Sequence, residues 1–136
     1  MAIVVDASVS ATWFLGDETS SFGKKILNRV ADEGAYVPAI FRWEIANLLL
    51  TAERADRISA DDVDAAIDAL RDLPITLEEP GSRVFAGADI RFARFYNLTA
   101  YDAAYLSIAT NGGLALATLD DPLARAARDL GITVLR

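Results

Sequence analysis

The sequence predicts an α/β protein with a parallel central sheet and right-handed crossovers. Three observations lead there. Short apolar, often β-branched runs alternate along the whole chain with longer segments whose apolar residues recur at helical spacing, the pattern of successive strand–helix–strand units. The short runs are continuously apolar rather than alternating, as expected of strands covered on both faces. A chain of 136 residues, 53% of them hydrophobic, suffices for one domain with a real core and is too short for two ordinary ones.

Ala2 to Val5 reads as a buried strand, with Asp6 at its carboxyl end and a short helix from Ser8 to Leu15. Residues 16–20 read as a loop. From about Ser21 to Ala31, Phe22, Ile26, Leu27 and Val30 mark a helix that Gly34 ends. Tyr36-Val37-Pro38 is a brief strand. The strongest helix runs from Ala39 to about Ala55, with Phe41, Ile45, Leu48, Leu49 and Ala52 as its apolar stripe. Ser59 with Asp62 caps a helix that continues through Leu73, turning Val63, Ile67 and Leu70 inward. The acids of that helix read as a solvated face. Pro74 to Leu77 is a strand, Pro80-Gly81 a turn, and Ser82 to Tyr96 a helix carrying Val84, Ala88, Phe92 and Phe95. Thr99 and Asp102 form a capping box opening a largely apolar helix from Leu98 to Asn111, which Gly112-Gly113 stops. Leu114 to Thr118 is a buried strand followed by Asp120 and Asp121. Pro122 suits the first turn of the next helix, in which Leu123, Ala126, Ala127 and Leu130 pack; Gly131 ends it, and Ile132 to Leu135 is the last strand.

Composition narrows the chemistry. With no cysteine there is neither a disulfide framework nor a thiolate metal site. With no histidine there is no histidine base, triad or histidine-ligated zinc. A catalytic metal would need oxygen ligands, which suit Mg or Mn. The formal net charge of -7 argues against a passive nucleic-acid coat, though not against a nuclease whose bound cations offset clustered acids. No apolar run is long enough to span a membrane, and Met1 to Val5 is too short for a signal peptide, so a soluble, cytoplasmic protein is expected.

Asp6 and Asp120 each follow a strand and precede a helix, so a parallel sheet brings both to one edge, where open α/β sheets bind ligands. Asp102 opens a helix that can face the same edge. Glu44 lies within an apolar stripe, where a lone charge is costly, so it calls for a polar pocket or a cation; Asn47, one turn on, can hydrogen-bond it. Each acid also has a purely structural reading: helix caps for Asp6, Asp102 and Asp120, and an ion pair with Arg42 or Arg54 for Glu44. Together they need cations to offset their repulsion, and a Mg or Mn site of that kind supports phosphodiester hydrolysis. Arg42, Arg91 and Arg94 are the candidate phosphate contacts.

Val4-Val5-Asp6-Ala7-Ser8, Trp43-Glu44-Ile45-Ala46-Asn47-Leu48-Leu49, Thr99-Ala100-Tyr101-Asp102-Ala103-Ala104-Tyr105 and Ala117-Thr118-Leu119-Asp120 resemble, in order and interval, the successive signatures of PIN-domain nucleases, and in particular the VapC toxins of toxin–antitoxin pairs. The resemblance covers nearly the whole chain. It implies a single PIN domain over 1–136, a three-layer α/β/α sandwich with a mainly parallel sheet of about five short strands. It also implies a Mg- or Mn-dependent endoribonuclease that forms homodimers and is inhibited by a VapB-type antitoxin. Asp6, Glu44, Asp102 and Asp120 match the family's catalytic acids, with Asp6 and Asp102 as principal metal ligands; Ser8 and Thr118 match its supporting polar residues. Two other readings compete. A phosphoacceptor receiver domain would need a lysine near a late strand end, but Lys24 and Lys25 both lie on an early helix. A catalytically silent interaction module would share the fold without the chemistry.

Overall fold

The computed structural model describes residues 1–15, 20–78 and 87–136. Among these, five parallel strands form one sheet in the order β3-β2-β1-β4-β5: β1 (Ile3–Val5), β2 (Ala35–Pro38), β3 (Ile75–Glu78), β4 (Leu116–Ala117) and β5 (Val134–Leu135). The helices are α1 (Ala7–Ser10), α2 (Ser21–Glu33), α3 (Ile40–Arg54), α4 (Ala60–Asp72), α5 (Ala88–Tyr96), α6 (Ala100–Gly112) and α7 (Asp121–Asp129). The parallel α/β fold expected from the sequence is therefore present. β1 lies at the centre, with all three of its residues fully buried, and pairs Ile3 with Ala35 of β2 and Val5 with Ala117 of β4. The chain proceeds outward from β1 first through β2 and β3, then on the other side through β4 and β5. Strand order thus reverses between β1 and β4, the place where such sheets open a crevice beyond their carboxyl ends.

The α3 stripe packs as its spacing implies, with Phe41, Ile45, Leu49 and Ala52 buried at helical intervals. α6 is enclosed on most sides, burying Ala103 and then Tyr105 through Ala109. α4 differs from expectation: Ala66 is its buried residue, while Val63, Ile67 and Leu70 are only half-covered as they pack against the core.

Several elements are shorter than their apolar runs. β4 and β5 pair only through Leu116 with Val134 and Ala117 with Leu135; Leu114, Ala115 and Ile132 pack against the core without extending the ladder. The helix after Asp6 keeps α-form only to Ser10 and tightens to a 3-10 turn over Ala11–Trp13, where the Thr12 hydroxyl donates to the Val9 carbonyl at 2.6 Å. The Trp13 indole N–H donates to the Gly23 carbonyl at 3.0 Å, and a Cβ at Gly23 would collide with the Thr12 side chain, so a glycine is needed for α2 to lie this close. The helix expected from Ser82 is present from Ala88; Gly87 precedes it with φ 85°, outside helical geometry. Residues 82–86, the Pro80-Gly81 turn and residues 16–19 of the expected loop lie outside the described residues. No described helix is long and apolar enough to cross a membrane.

Candidate active site

Asp6 occupies the N-cap position of α1, yet its side chain makes no capping bond. Its carboxylate is held from two sides instead. The Ser8 and Thr118 hydroxyls both donate to Oδ2, each at 2.8 Å. Each hydroxyl also accepts a backbone N–H from the β4–α7 connection, Ser8 from Leu119 and Thr118 from Asp120, each at 3.0 Å. The ends of β1 and β4 are thereby stitched together around one buried carboxylate, at the point where strand order reverses. Asp120 is itself the N-cap of α7, its Oδ1 accepting from the Leu123 N–H at 2.9 Å. For Asp120 the cap is real; for Asp6 the polar contacts serve the carboxylate, not the helix.

Glu44 accepts a hydrogen bond from the buried Tyr105 hydroxyl at 2.8 Å, which ties α3 to α6. Among the described residues neither Arg42 nor Arg54 forms an ion pair with it, so the salt-bridge alternative is not realised. Asn47 is exposed and makes no hydrogen bond to Glu44. Asp102 lies in the first turn of α6, its N–H donating to the Thr99 hydroxyl at 3.1 Å, and its carboxylate is half-buried.

Electrostatics link these acids. Burial raises the proton affinity of Asp6, only partly offset by Ser8, Thr118 and the Ala7 backbone, and the Asp120 charge raises it further. Burial likewise raises Glu44 against the Tyr105 hydrogen bond, with added repulsion from Asp6 and Asp102. Asp102 is raised by burial first, then by Asp120 and Asp6, against its contacts with Thr99. Each of the four carboxylates therefore enters the field of at least one other. No cation figures among the influences on these three raised groups.

An all-oxygen donor set of mutually repelling carboxylates has the chemistry that a hard divalent cation demands. Among the described residues no three carboxylates stand close enough together to form a ready-made metal cage.

Asp121 is set apart from the pocket: its carboxylate pairs with the Arg136 guanidinium at 2.6 Å, which holds its proton affinity below the usual carboxylate value. Arg42 lines an apolar cleft with Phe41, Ile67 and Leu77, and Arg91 and Arg94 are exposed on α5; among the described residues none of the three forms an ion pair with the acids. From sequence alone Tyr105 reads only as one residue of a largely apolar helix, and its role beside Glu44 is not evident. Its only signal was the hydroxyl: a fully buried tyrosine needs a polar partner, and Glu44 was the acid in search of one.

A five-stranded parallel sheet flanked by helices is the architecture of a PIN domain. The PIN-domain family model matches residues 3–129, and the chain belongs to that family. Within it the similarity is to the VapC group: the chain is 36% identical over 124 residues to Ribonuclease VapC3 of Mycobacterium tuberculosis, in both the CDC 1551 and H37Rv strains, covering 91% of this chain and 86% of that protein. The crystal structure of PAE2754 from Pyrobaculum aerophilum superposes with a TM-score of 0.70 at 22% identity, over 99% of this chain and 90% of that one, a likeness of fold.

Proposed function

We propose that this protein is a Mg- or Mn-dependent endoribonuclease and the toxin of a VapB–VapC pair, built as one PIN domain over 1–136. The observation that carries the reading is the mutual electrostatic influence of four carboxylates, Asp6, Glu44, Asp102 and Asp120, two of them held by hydroxyl donors, in a chain without histidine. Kinship to a protein named as a ribonuclease supports it. Asp6 and Asp102 would hold the cation, which when bound supplies Lewis-acid stabilisation of charge on phosphate oxygens and an acidified water. The chain's own residues do the rest. Ser8 and Thr118 fix the Asp6 carboxylate, leaving it little rotational freedom. Tyr105 fixes Glu44, and the Leu123 N–H fixes Asp120, so both can orient water by accepting its hydrogen bonds. RNA is the substrate, a VapB-type antitoxin the inhibitor, a homodimer the working form and the cytoplasm the location in this reading.

The test is cleavage of a mixed-sequence single-stranded RNA by purified protein in Mn, in EDTA, and by the Asp102→Asn variant. Cleavage in Mn that EDTA and the variant both abolish supports the reading. Intact RNA with well-folded protein in Mn would leave the silent interaction module in its place. Growth arrest on expression, relieved by the neighbouring antitoxin frame, tests the toxin role.

A further inference from the structure

Three of the exposed large hydrophobic side chains stand immediately before a pocket acid in the sequence: Trp43 before Glu44, Tyr101 before Asp102 and Leu119 before Asp120. The two aromatics are far out in solvent, Trp43 at 70% and Tyr101 at 58% exposure. Trp43 lies off the stripe that α3 buries, and among the described residues neither ring packs against another aromatic. Trp43 is in the first turn of α3 and Tyr101 in the first turn of α6. The Tyr105–Glu44 hydrogen bond ties α3 to α6 close to those two turns, since Glu44 follows Trp43 and Tyr105 lies one helical turn after Tyr101. Two exposed aromatic rings therefore stand at the N-terminal ends of two helices that a hydrogen bond ties together, each one residue before a candidate acid.

We propose that Trp43 and Tyr101 are base-stacking residues that position RNA across the pocket, an inference that rests on the ribonuclease reading. The acids and the net charge of -7 repel a phosphate backbone, so bulk attraction cannot supply the binding energy. Bases present neutral faces, and stacking on indole or phenol is strong and tolerant of sequence. A base reaches such a ring only when it is free of its own duplex, so the two rings select an unpaired strand and hold its bases to either side of the phosphate offered to the acids.

The experiment uses the full chain and three probes of matched length: single-stranded oligoadenylate, an RNA duplex, and inorganic polyphosphate as a probe of charge alone. Trp43→Ala should weaken oligoadenylate binding about tenfold, with Tyr101→Ala similar. Trp43→Phe should recover most of the affinity, polyphosphate binding should not change, and the duplex should bind weakly throughout. Oligoadenylate should quench the tryptophan emission of the parent protein and lose that effect in Trp43→Phe, where the half-buried Trp13 is the remaining indole. On cleaved RNA, the loss should fall on KM rather than kcat. Equal losses for oligoadenylate and polyphosphate, or no loss at all, would overturn the proposal. So would a fall in sedimenting mass without a change in RNA affinity, which would make this face a contact between copies of the chain. Failure of the parent protein to cleave RNA in Mn refutes the nuclease reading; the binding arms judge the stacking residues independently of it.

Discussion

Tyr105→Phe isolates one hydrogen bond with little disturbance of packing. The ring is fully buried, phenylalanine fills the same space, and the lost atom is the hydroxyl that donates to Glu44 at 2.8 Å. A hydrogen bond to a charged group contributes about 1.5–3 kcal/mol; because Glu44 is half-exposed, we expect about 1–2 kcal/mol here once solvent screening is allowed for. The cost should depend on pH. The bond favours ionised Glu44, while burial already raises that group's proton affinity, so removing the hydroxyl raises it further. Above the folded-state pKa the variant therefore bears the full cost. As pH falls through that value Glu44 becomes neutral in both proteins, and the difference shrinks toward that of a neutral hydrogen bond. Urea unfolding of both proteins in EDTA at about pH 4 and about pH 8 measures this directly, since the two values bracket the carboxylate range with its burial shift. The same substitution should lower RNA cleavage in Mn by about tenfold, because a carboxylate free to rotate no longer orients water. A destabilisation equal at both pH values would show that Tyr105 acts through packing alone.

The remaining predictions concern the acids themselves. In EDTA, stability should fall as pH rises from the ordinary carboxylate range through the raised values of Asp6, Glu44 and Asp102, because the native state holds protons there that the unfolded chain has released. Saturating Mn should raise the melting temperature at neutral pH and flatten that slope; an unchanged melting curve would count against a cation site. Asp102→Asn should cost about 1 kcal/mol or less, since the Thr99 hydroxyl still caps α6, while cleavage collapses; a folded, fully active variant would refute its role. Asp120→Asn should lose activity and Asp121→Asn should keep it, because Asp121 is committed to Arg136 at the surface; the reverse result would move the fourth acid to Asp121.

What the sequence made legible follows the physics of each feature. Burial on both faces writes itself as a continuous apolar run, so β1 and the parallel sheet could be read directly, and with them the placing of Asp6 and Asp120 at one edge. Pairing length is not written that way. Leu114 and Ile132 are apolar because they pack, and nothing in their character tells that the ladder between β4 and β5 spans only Leu116–Ala117 and Val134–Leu135. The acids stand out in the sequence as candidates, because carboxylates at strand ends and in an apolar stripe each demand an explanation. Their supports were legible only in part. Ser8 is two residues from Asp6, but the Thr118 hydroxyl reaches Asp6 across 112 positions and Tyr105 reaches Glu44 across 61, and such contacts exist only once the sheet has brought distant segments together. The same long contacts counter the repulsion among these acids. Burial and mutual repulsion favour the protonated carboxylates, and the hydroxyls of Ser8, Thr118 and Tyr105 oppose that on Asp6 and Glu44. These hydroxyls, donated from the segment after β4 and from α6 as well as from α1, keep the two acids closer to the ionised state in which a cation could use them.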